Sequence, residues 1–422
     1  MPLPFIFYVL ENGPPPWLAD NAWTIAKAVA ALTTVVLIKR YSSGATNTAD
    51  RTMHGKVVMM TGGTSGIGAR VALDLAQRGA QLVLLTQAPA SDPFLAEYVQ
   101  DLRDRTNNNM VYAEQVDLSS LHSIRTFATK WIDNAPPRRL DMIILCAATL
   151  TPPGGKKRQT AEGLEQTWMV NYLANFHLLG ILSPAIRAQP FDREVRIIVT
   201  TCSAYISSPP LKEAQAGTKQ KWTPGTAHAR SKLALMTFGQ AYQKHLDSYK
   251  RPDELPMNSR VIFVDPGWSR TPGMRSWLTR GSLWGLVLYL LAYVFPWLFL
   301  KSPNQGAQSI LYAAMEPSLG RGAGGKLVKE CMEVDFARKD VHEEEVAKRL
   351  WEDSDKLIET VEKEQAAIRA RKKKEAGQEA QKAKEREQVE EIQELVSAIK
   401  KGKEKEKQAG AKARKKTKKT DS

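Results

Sequence analysis

The sequence predicts an α/β fold, a doubly wound parallel sheet in a single domain. Three observations carry that expectation. Apolar runs such as Met142-Ile143-Ile144-Leu145 and Ile197-Ile198-Val199 have the composition of parallel strands covered on both faces. From Lys56 onward, strand-like and helix-like stretches alternate with short connections. The first strand runs into a glycine turn, Val57 to Gly68, and helical periodicity follows over Ala69 to Gln77. Such a sheet occupies roughly 250–290 residues. A chain of 422 residues therefore leaves room for segments at both ends.

The glycine turn organises the rest. Gly62 lets the chain bend tightly, Gly66 lets backbone N–H groups approach a pyrophosphate, and Gly68 lets the helix lie close on the sheet. Thr64, Ser65 and Ile67 complete the cradle of a Rossmann-type cofactor site at the positive helix N-terminus. The second strand, Gln81 to Thr86, ends without the acidic residue that would bind the ribose hydroxyls of NAD. Thr86 and Gln87 stand there instead, which tilts the expectation toward NADP(H) over NAD(H); no arginine stands there either. Asp117-Leu118, after the third strand, is a candidate for the adenine amino group or simply part of a helix N-cap region.

Taken in order, strands are expected at 56–61, 81–86, 110–115, 140–147, 194–202 and 259–264, with a short one near 325–328. Helices are expected between them, the longest over much of 160–189 and 226–248. Ahead of the sheet, Ala22 to Ile38 is apolar apart from Lys27 and three threonines, and Lys39-Arg40 follows. It reads as a membrane anchor, with a tilted or interfacial helix as the alternative. Glu11 and Asp20 before it fit neither a signal peptide nor a mitochondrial presequence. Lys39, Arg40 and Arg51 place the main domain on the cytosolic side. The endoplasmic reticulum or a lipid droplet is the expected location, with the mitochondrial outer membrane as the alternative.

Gly281 to Leu300 has no charged residue. Its position after the last long strand predicts an amphipathic or monotopic patch dipping into a bilayer rather than a span, which would throw the seventh strand across the membrane. A lipophilic small-molecule substrate arriving from the bilayer follows from that reading. From Val361 to Ser422 the chain carries 20 Lys/Arg against 12 Asp/Glu, so +8 of the formal +15 lies in the tail. Glu387 to Lys400 is expected to be helical and Lys401 to Ser422 disordered. The basic end, Lys412 to Lys419, suits anionic headgroups or plain solvation, and without interleaved aromatics it argues against nucleic acid. Cys146, Cys202 and Cys331 lack metal-ligand spacing and read as free thiols in a reducing compartment. The boundaries follow: 1–50 with the anchor, 51–358 for the main domain and 359–422 for the tail. A homodimer is compatible with this layout.

The spacing Thr-Gly-x-x-x-Gly-x-Gly over Thr61 to Gly68 resembles the short-chain dehydrogenase/reductase family. Asn171 in Asn171-Tyr172-Leu173-Ala174 matches the asparagine of its central helix, and Val199-Thr200-Thr201-Cys202-Ser203 resembles its fifth strand. Asp265-Pro266-Gly267-Trp268-Ser269-Arg270-Thr271 resembles the loop that closes over the nicotinamide. Lys301-Ser302-Pro303-Asn304-Gln305-Gly306-Ala307-Gln308 and Ala347 to Trp351 are similar to retinol-dehydrogenase-type members. The likeness spans roughly residues 55–358. It implies Ser203 as the catalytic serine (Cys202 if the register is one residue shorter), Lys232 on the nicotinamide ribose, Asn171 on a relay water, and Pro266 and Gly267 at the cofactor.

Two departures stand out. The family's Asn-Asn-Ala-Gly reads Leu145-Cys146-Ala147-Ala148, leaving Ala147 at the cofactor. The family's Tyr-x-x-x-Lys reads His228-Ala229-Arg230-Ser231-Lys232. The i, i+4 spacing still sets His228 and Lys232 on one site. An imidazole, with an ordinary pKa of about 6.5, suits proton transfer, and a neighbouring ammonium favours its neutral form. The reading is a membrane-associated NADP(H)-dependent oxidoreductase acting on the alcohol or ketone of a retinoid, sterol or fatty-acyl lipid. Its rival is a non-catalytic nucleotide-binding scaffold at a membrane.

Overall fold

A computed structural model of the protein describes Gly13 and residues 15–134, 138–212 and 222–417. The chain divides into two units, Met1–Ile358 and Glu359–Ser422. The first is built on one eight-stranded sheet: β1 Val57–Thr61, β2 Gln81–Thr86, β3 Val111–Gln115, β4 Met142–Leu145, β5 Val195–Thr200, β6 Ser259–Asp265, β7 Lys326–Lys329 and β8 Met332–Val334. Their spatial order is 3-2-1-4-5-6-7-8, parallel as far as β7. The chain reverses direction across the sheet between β1 and β4, which pair in register from Val58↔Met142 to Thr61↔Leu145. The crevice at the carboxyl ends of strands about such a switch point is where ligands bind in these sheets.

The helices of more than five residues are α1 Ala22–Ser43, α2 Gly66–Gln77, α3 Pro93–Thr106, α4 Leu121–Ile132, α5 Gln166–Arg187, α6 Pro224–Asp247, α7 Pro272–Leu278, α8 Leu283–Leu291, α9 Val294–Phe299, α10 Pro303–Met315 and α11 Glu344–Thr417. Local chemistry starts them. Thr223 and Thr226 form a capping box at α6, as do Ser302 and Gln305 at α10, each with proline inside the first turn. α2 and α10 lay Val71, Leu75, Ile310 and Ala314 over Val58, Met60, Ile198 and Ile262 on one face of the sheet. On the other face α5 and α6 meet through Phe176 and Phe238, with ring centroids 4.8 Å apart. Trp351 of α11 packs on both, at 5.5 and 5.4 Å.

Of the two helices long and apolar enough to cross a bilayer among the described residues, α5 is mostly buried in the core. The other, α1, buries no residue of its own. Lys39 Nζ donates to the carbonyls of Trp297 at 2.8 Å and Leu300 at 3.4 Å and lies over the Trp297 ring, so α1 is fastened to α9. At its exit, Ala45 N–H donates to Glu330 Oε2 at 3.0 Å.

Two expectations need correction. An additional antiparallel strand, β8, follows β7 through a turn whose central residues, Glu330 and Cys331, have φ of 51° and 55°. Hairpin turns of that backbone favour Asn-Gly, which is absent here; an ion pair to Lys301 holds Glu330 there instead. The tail from Lys401, expected to be disordered, continues α11 to Thr417. Its Ala, Glu, Lys and Gln residues are strong helix formers, and pairs such as Lys363–Glu359 and Arg371–Glu375 bridge its turns. Lys418 to Ser422 lies outside the described residues. The long helix expected over much of 160–189 runs from Gln166 to Arg187, after a turn in which Gly163 N–H donates to Thr160 O.

Candidate active site

The carboxyl ends of β1, β4, β5 and β6 deliver four loops to one crevice. The glycine turn shows why it must be glycine. A Cβ on Gly62, which has φ 68°, would sit 2.8 Å from Ala147 N, and one on Gly68 would sit 2.0 Å from Gly62 O. The turn, the loop after β4 and the start of α2 thus approach as closely as bare backbone allows. Thr61 Oγ1 locks that approach by accepting the N–H groups of both Cys146 and Ala147 at 3.2 Å. Ser65, at the N-cap of α2, makes no side-chain cap. The first N–H groups of α2 remain available to an anion. Gly66 has φ 57°, and Thr271 stands 3.2 Å from where its Cβ would be. Ile67 packs beside Gly306, and Gly267 N–H donates to Asp265 Oδ1 at 3.0 Å, shaping the Pro266–Thr271 loop over the turn. These tight approaches fit a dinucleotide pyrophosphate.

Farther along, the cofactor features thin out. No carboxylate ends β2; Thr86 Oγ1 accepts from Ala88 N–H. Asp117 Oδ1 accepts from the N–H and hydroxyl of Ser119 at 2.8 and 2.7 Å, a local turn that leaves Oδ2 and the Leu118 backbone beside it. The N-cap of α4 is Ser120.

At the other end the crevice holds titratable side chains. Asn171 sits in a π-helical turn, Met169–Leu173, within α5. Such a widened turn often marks a functional position. Fully buried, its side chain clasps the Thr149 backbone: Oδ1 accepts from Thr149 N–H at 2.7 Å, and Nδ2 donates to Thr149 O at 3.0 Å and to Ser231 Oγ at 3.1 Å. His228 Nδ1 lies 3.4 Å from that amide, beside the Thr149 main chain. On its opposite edge, Nε2 is 3.4 Å from Cys202 Sγ. One turn on, Lys232 is buried and donates to Thr200 O at 3.0 Å.

Burial, and then the Lys232 charge, push His228 down to about 4. Burial lowers Lys232 and raises the Cys202 thiol, with Lys232 opposing the latter shift. Near neutral pH the imidazole is therefore neutral and the thiol protonated. With Nδ1 carrying the ring proton, Nε2 accepts from Cys202. This corrects the expectation of an imidazole poised near 6.5.

The structure brings Asn171, His228 and Lys232 together but leaves Ser203 out. Ser203 Oγ donates to Asp265 Oδ2 at 2.5 Å and lies 3.3 Å from Lys329 Nζ. It opens a short 3-10 turn, Ser203–Ser207, which turns its side chain toward β6. Cys202, the residue of the register one shorter, is the one that faces His228. Thr61 acts here through its hydroxyl and Thr149 through its own main chain. Thr61 stands in the glycine-turn spacing, whereas the sequence carries no signal for Thr149.

The short chain dehydrogenase family model matches residues 56–277. The chain belongs to that family. As a short-chain dehydrogenase it is an oxidoreductase, and the dinucleotide its turn would hold is a nicotinamide one. It is 41% identical over 89% of its length to an uncharacterized oxidoreductase, pbr1, of Schizosaccharomyces pombe, covering 100% of that protein. It is 31% identical to retinol dehydrogenase 13 of Mus musculus over 76% of this chain and 90% of that one. With polyprenol dehydrogenase of Mus musculus the identity is 30% over 70% of this chain and 82% of the other.

Proposed function

We propose that this short-chain dehydrogenase is membrane-associated, prefers NADP(H), and interconverts alcohol and carbonyl on a lipophilic substrate of retinoid, sterol or fatty-acyl type. The observation that carries the reading is the Cys202–His228–Lys232 cluster at the switch-point crevice. A bound nicotinamide supplies the hydride acceptor or donor. For oxidation, the substrate hydroxyl enters between Cys202 and His228, the thiol hydrogen-bonds its oxygen, and neutral His228 Nε2 takes its proton. For reduction the proton returns along the same path. Asn171 holds the imidazole through Thr149, and Lys232 is placed to bind the ribose. The lack of a carboxylate after β2 supports NADP(H), because a 2′-phosphate meets no like charge there.

Membrane association rests on two apolar segments joined by Lys39. At about 1.5 Å per residue, the 22 residues of α1 reach about 33 Å, enough for a hydrocarbon core. Trp23, Leu32 and Leu37 of α1 and Leu283, Trp284 and Leu291 of α8 are exposed. Because α8 and α9 are short and separate, they suit the interface rather than a span. The names of the retinol and polyprenol relatives support a lipid substrate. Lys39 and Arg40 support a cytosol-facing domain, at the endoplasmic reticulum or a lipid droplet. Purified protein with NADP+ and a panel of retinol, sterol and fatty alcohols tests the reading by NADPH absorbance. If no member of the panel is turned over, the reading is lost and the nucleotide-binding scaffold stands.

A further inference from the structure

Beside the crevice, on the far side of Thr149 from His228, lies an open cavity of about 410 Å³. It runs between the loop after β4, residues 149–158, and the C-terminal end of α7. Lys156, Arg158 and Arg280 line it, and no carboxylate does. Among the described residues none of the three makes an ion pair, whereas Lys301 and Lys329, on the other side of the Pro266–Thr271 loop, have carboxylate partners.

The cations are set on fixed backbone. Pro152 and Pro153 restrict the loop, and Gly155 N–H closes a turn on Pro152 O at 2.9 Å. Arg158 O accepts from Gln166 N–H at 3.0 Å, tying it to the start of α5. Arg280, with φ 52°, ends α7, and Gly281 N–H donates to Ser276 O at 3.1 Å. From Gly281 the chain passes directly into α8, whose Leu283 and Trp284 are exposed. The cavity mouth therefore adjoins the segment assigned to the bilayer interface.

We propose that this cavity binds the phosphate headgroup of a bilayer lipid, its acyl part lying along α8. Two guanidinium forks and an ammonium match a phosphate in shape and charge, since Arg engages phosphate oxygens in pairs while Lys acts as a point charge. A phosphate there neutralises three cations that no carboxylate among the described residues pairs. It also places the lipid one backbone wall, Thr149, from the Cys202–His228 pair. The inference rests on the membrane-associated reading of α1 and α8.

The test uses the full chain in detergent micelles doped with phosphatidic acid or with the matching diacylglycerol. Retention is followed by native mass spectrometry and the thermal midpoint. Phosphatidic acid should be retained and should raise the midpoint; diacylglycerol should do neither. The variant K156Q/R158Q/R280Q should lose phosphatidic acid by roughly tenfold or more, while K372Q/K373Q/K374Q, which removes equal charge from α11, should not. All three cavity residues are exposed, so the variant should keep its lipid-free midpoint, which is measured alongside. Equal retention by the cavity variant, or of diacylglycerol by the wild type, overturns the proposal. So does equal protection by inorganic phosphate at the same concentration, which would make the ligand a soluble phosphate. NADP+-dependent stabilisation is read in the same samples, and carbonate extraction in parallel. Failure of either of those strikes the enzymatic or membrane reading, whereas failure of lipid selectivity strikes this cavity alone.

Discussion

Cys202 Sγ faces His228 Nε2 at 3.4 Å, while the next side chain, Ser203, points to Asp265 instead. On the proposed mechanism, Cys202 acts on the substrate oxygen and Ser203 only braces Asp265. Cys202→Ala should lower kcat by roughly 10–10³, the range for removing a hydrogen-bond donor from a reacting oxygen. Ser203→Ala should leave kcat within about threefold and reduce stability by about 1–2 kcal/mol, because it removes a hydrogen bond to a charged group. Turnover and thermal melts of the two variants check the assignment, and the reverse ranking would return the role to Ser203.

His228→Ala should cost roughly 10²–10⁴ in turnover, as for other positioned acid–base groups. His228→Tyr should restore activity or raise it, since Lys232 already stands one turn away. If turnover ignores His228→Ala, the imidazole mechanism is wrong, leaving the thiol and bound water as the relay.

The pH dependence has a definite sign. Burial and Lys232 hold His228 at about 4 in the folded protein, against about 6.5 when unfolded. Between those values the unfolded chain binds the extra proton, so stability falls as pH drops from about 6.5 toward 4. The part due to this ring should be on the order of 3 kcal/mol, and His228→Gln should remove it in acid-melting curves. Oxidative turnover should lose its base only near pH 4, with no His228 step near 6.5.

Gly66→Val should abolish stabilisation by NADP+. Its Cβ meets Thr271, and φ 57° disfavours a side chain. Thermal shift with and without nucleotide reads this out; retained stabilisation would move the pyrophosphate elsewhere.

Deleting residues 1–44 should release most protein from membranes, with α8 and α9 retaining a peripheral fraction. Lys39→Ala should leave attachment intact but loosen α9, seen as faster amide exchange at Trp297 to Leu300. Carbonate resistance of the truncated chain would instead make the 281–300 segment a span.

The sheet was legible in the sequence because parallel strands buried on both faces must be apolar throughout, as in Met142 to Leu145. The glycine turn was legible because backbone at Gly62 and Gly68 leaves no room for a Cβ, so composition records the contact. The i, i+4 spacing of His228 and Lys232 was legible because one helix fixes it. What the sequence could not decide was which side chain of Cys202-Ser203 enters the crevice. That depends on where β5 ends and on the 3-10 turn that follows, a change of one residue that reverses side-chain direction. Nor could it give the depressed pKa of His228, which comes from burial and the Lys232 charge assembled only in the fold. The same holds for β8, whose Glu330-Cys331 turn is sustained by Lys301, 29 residues away. Periodicity and forbidden contacts are written locally, whereas electrostatics and the direction of a single side chain are set by groups distant along the chain.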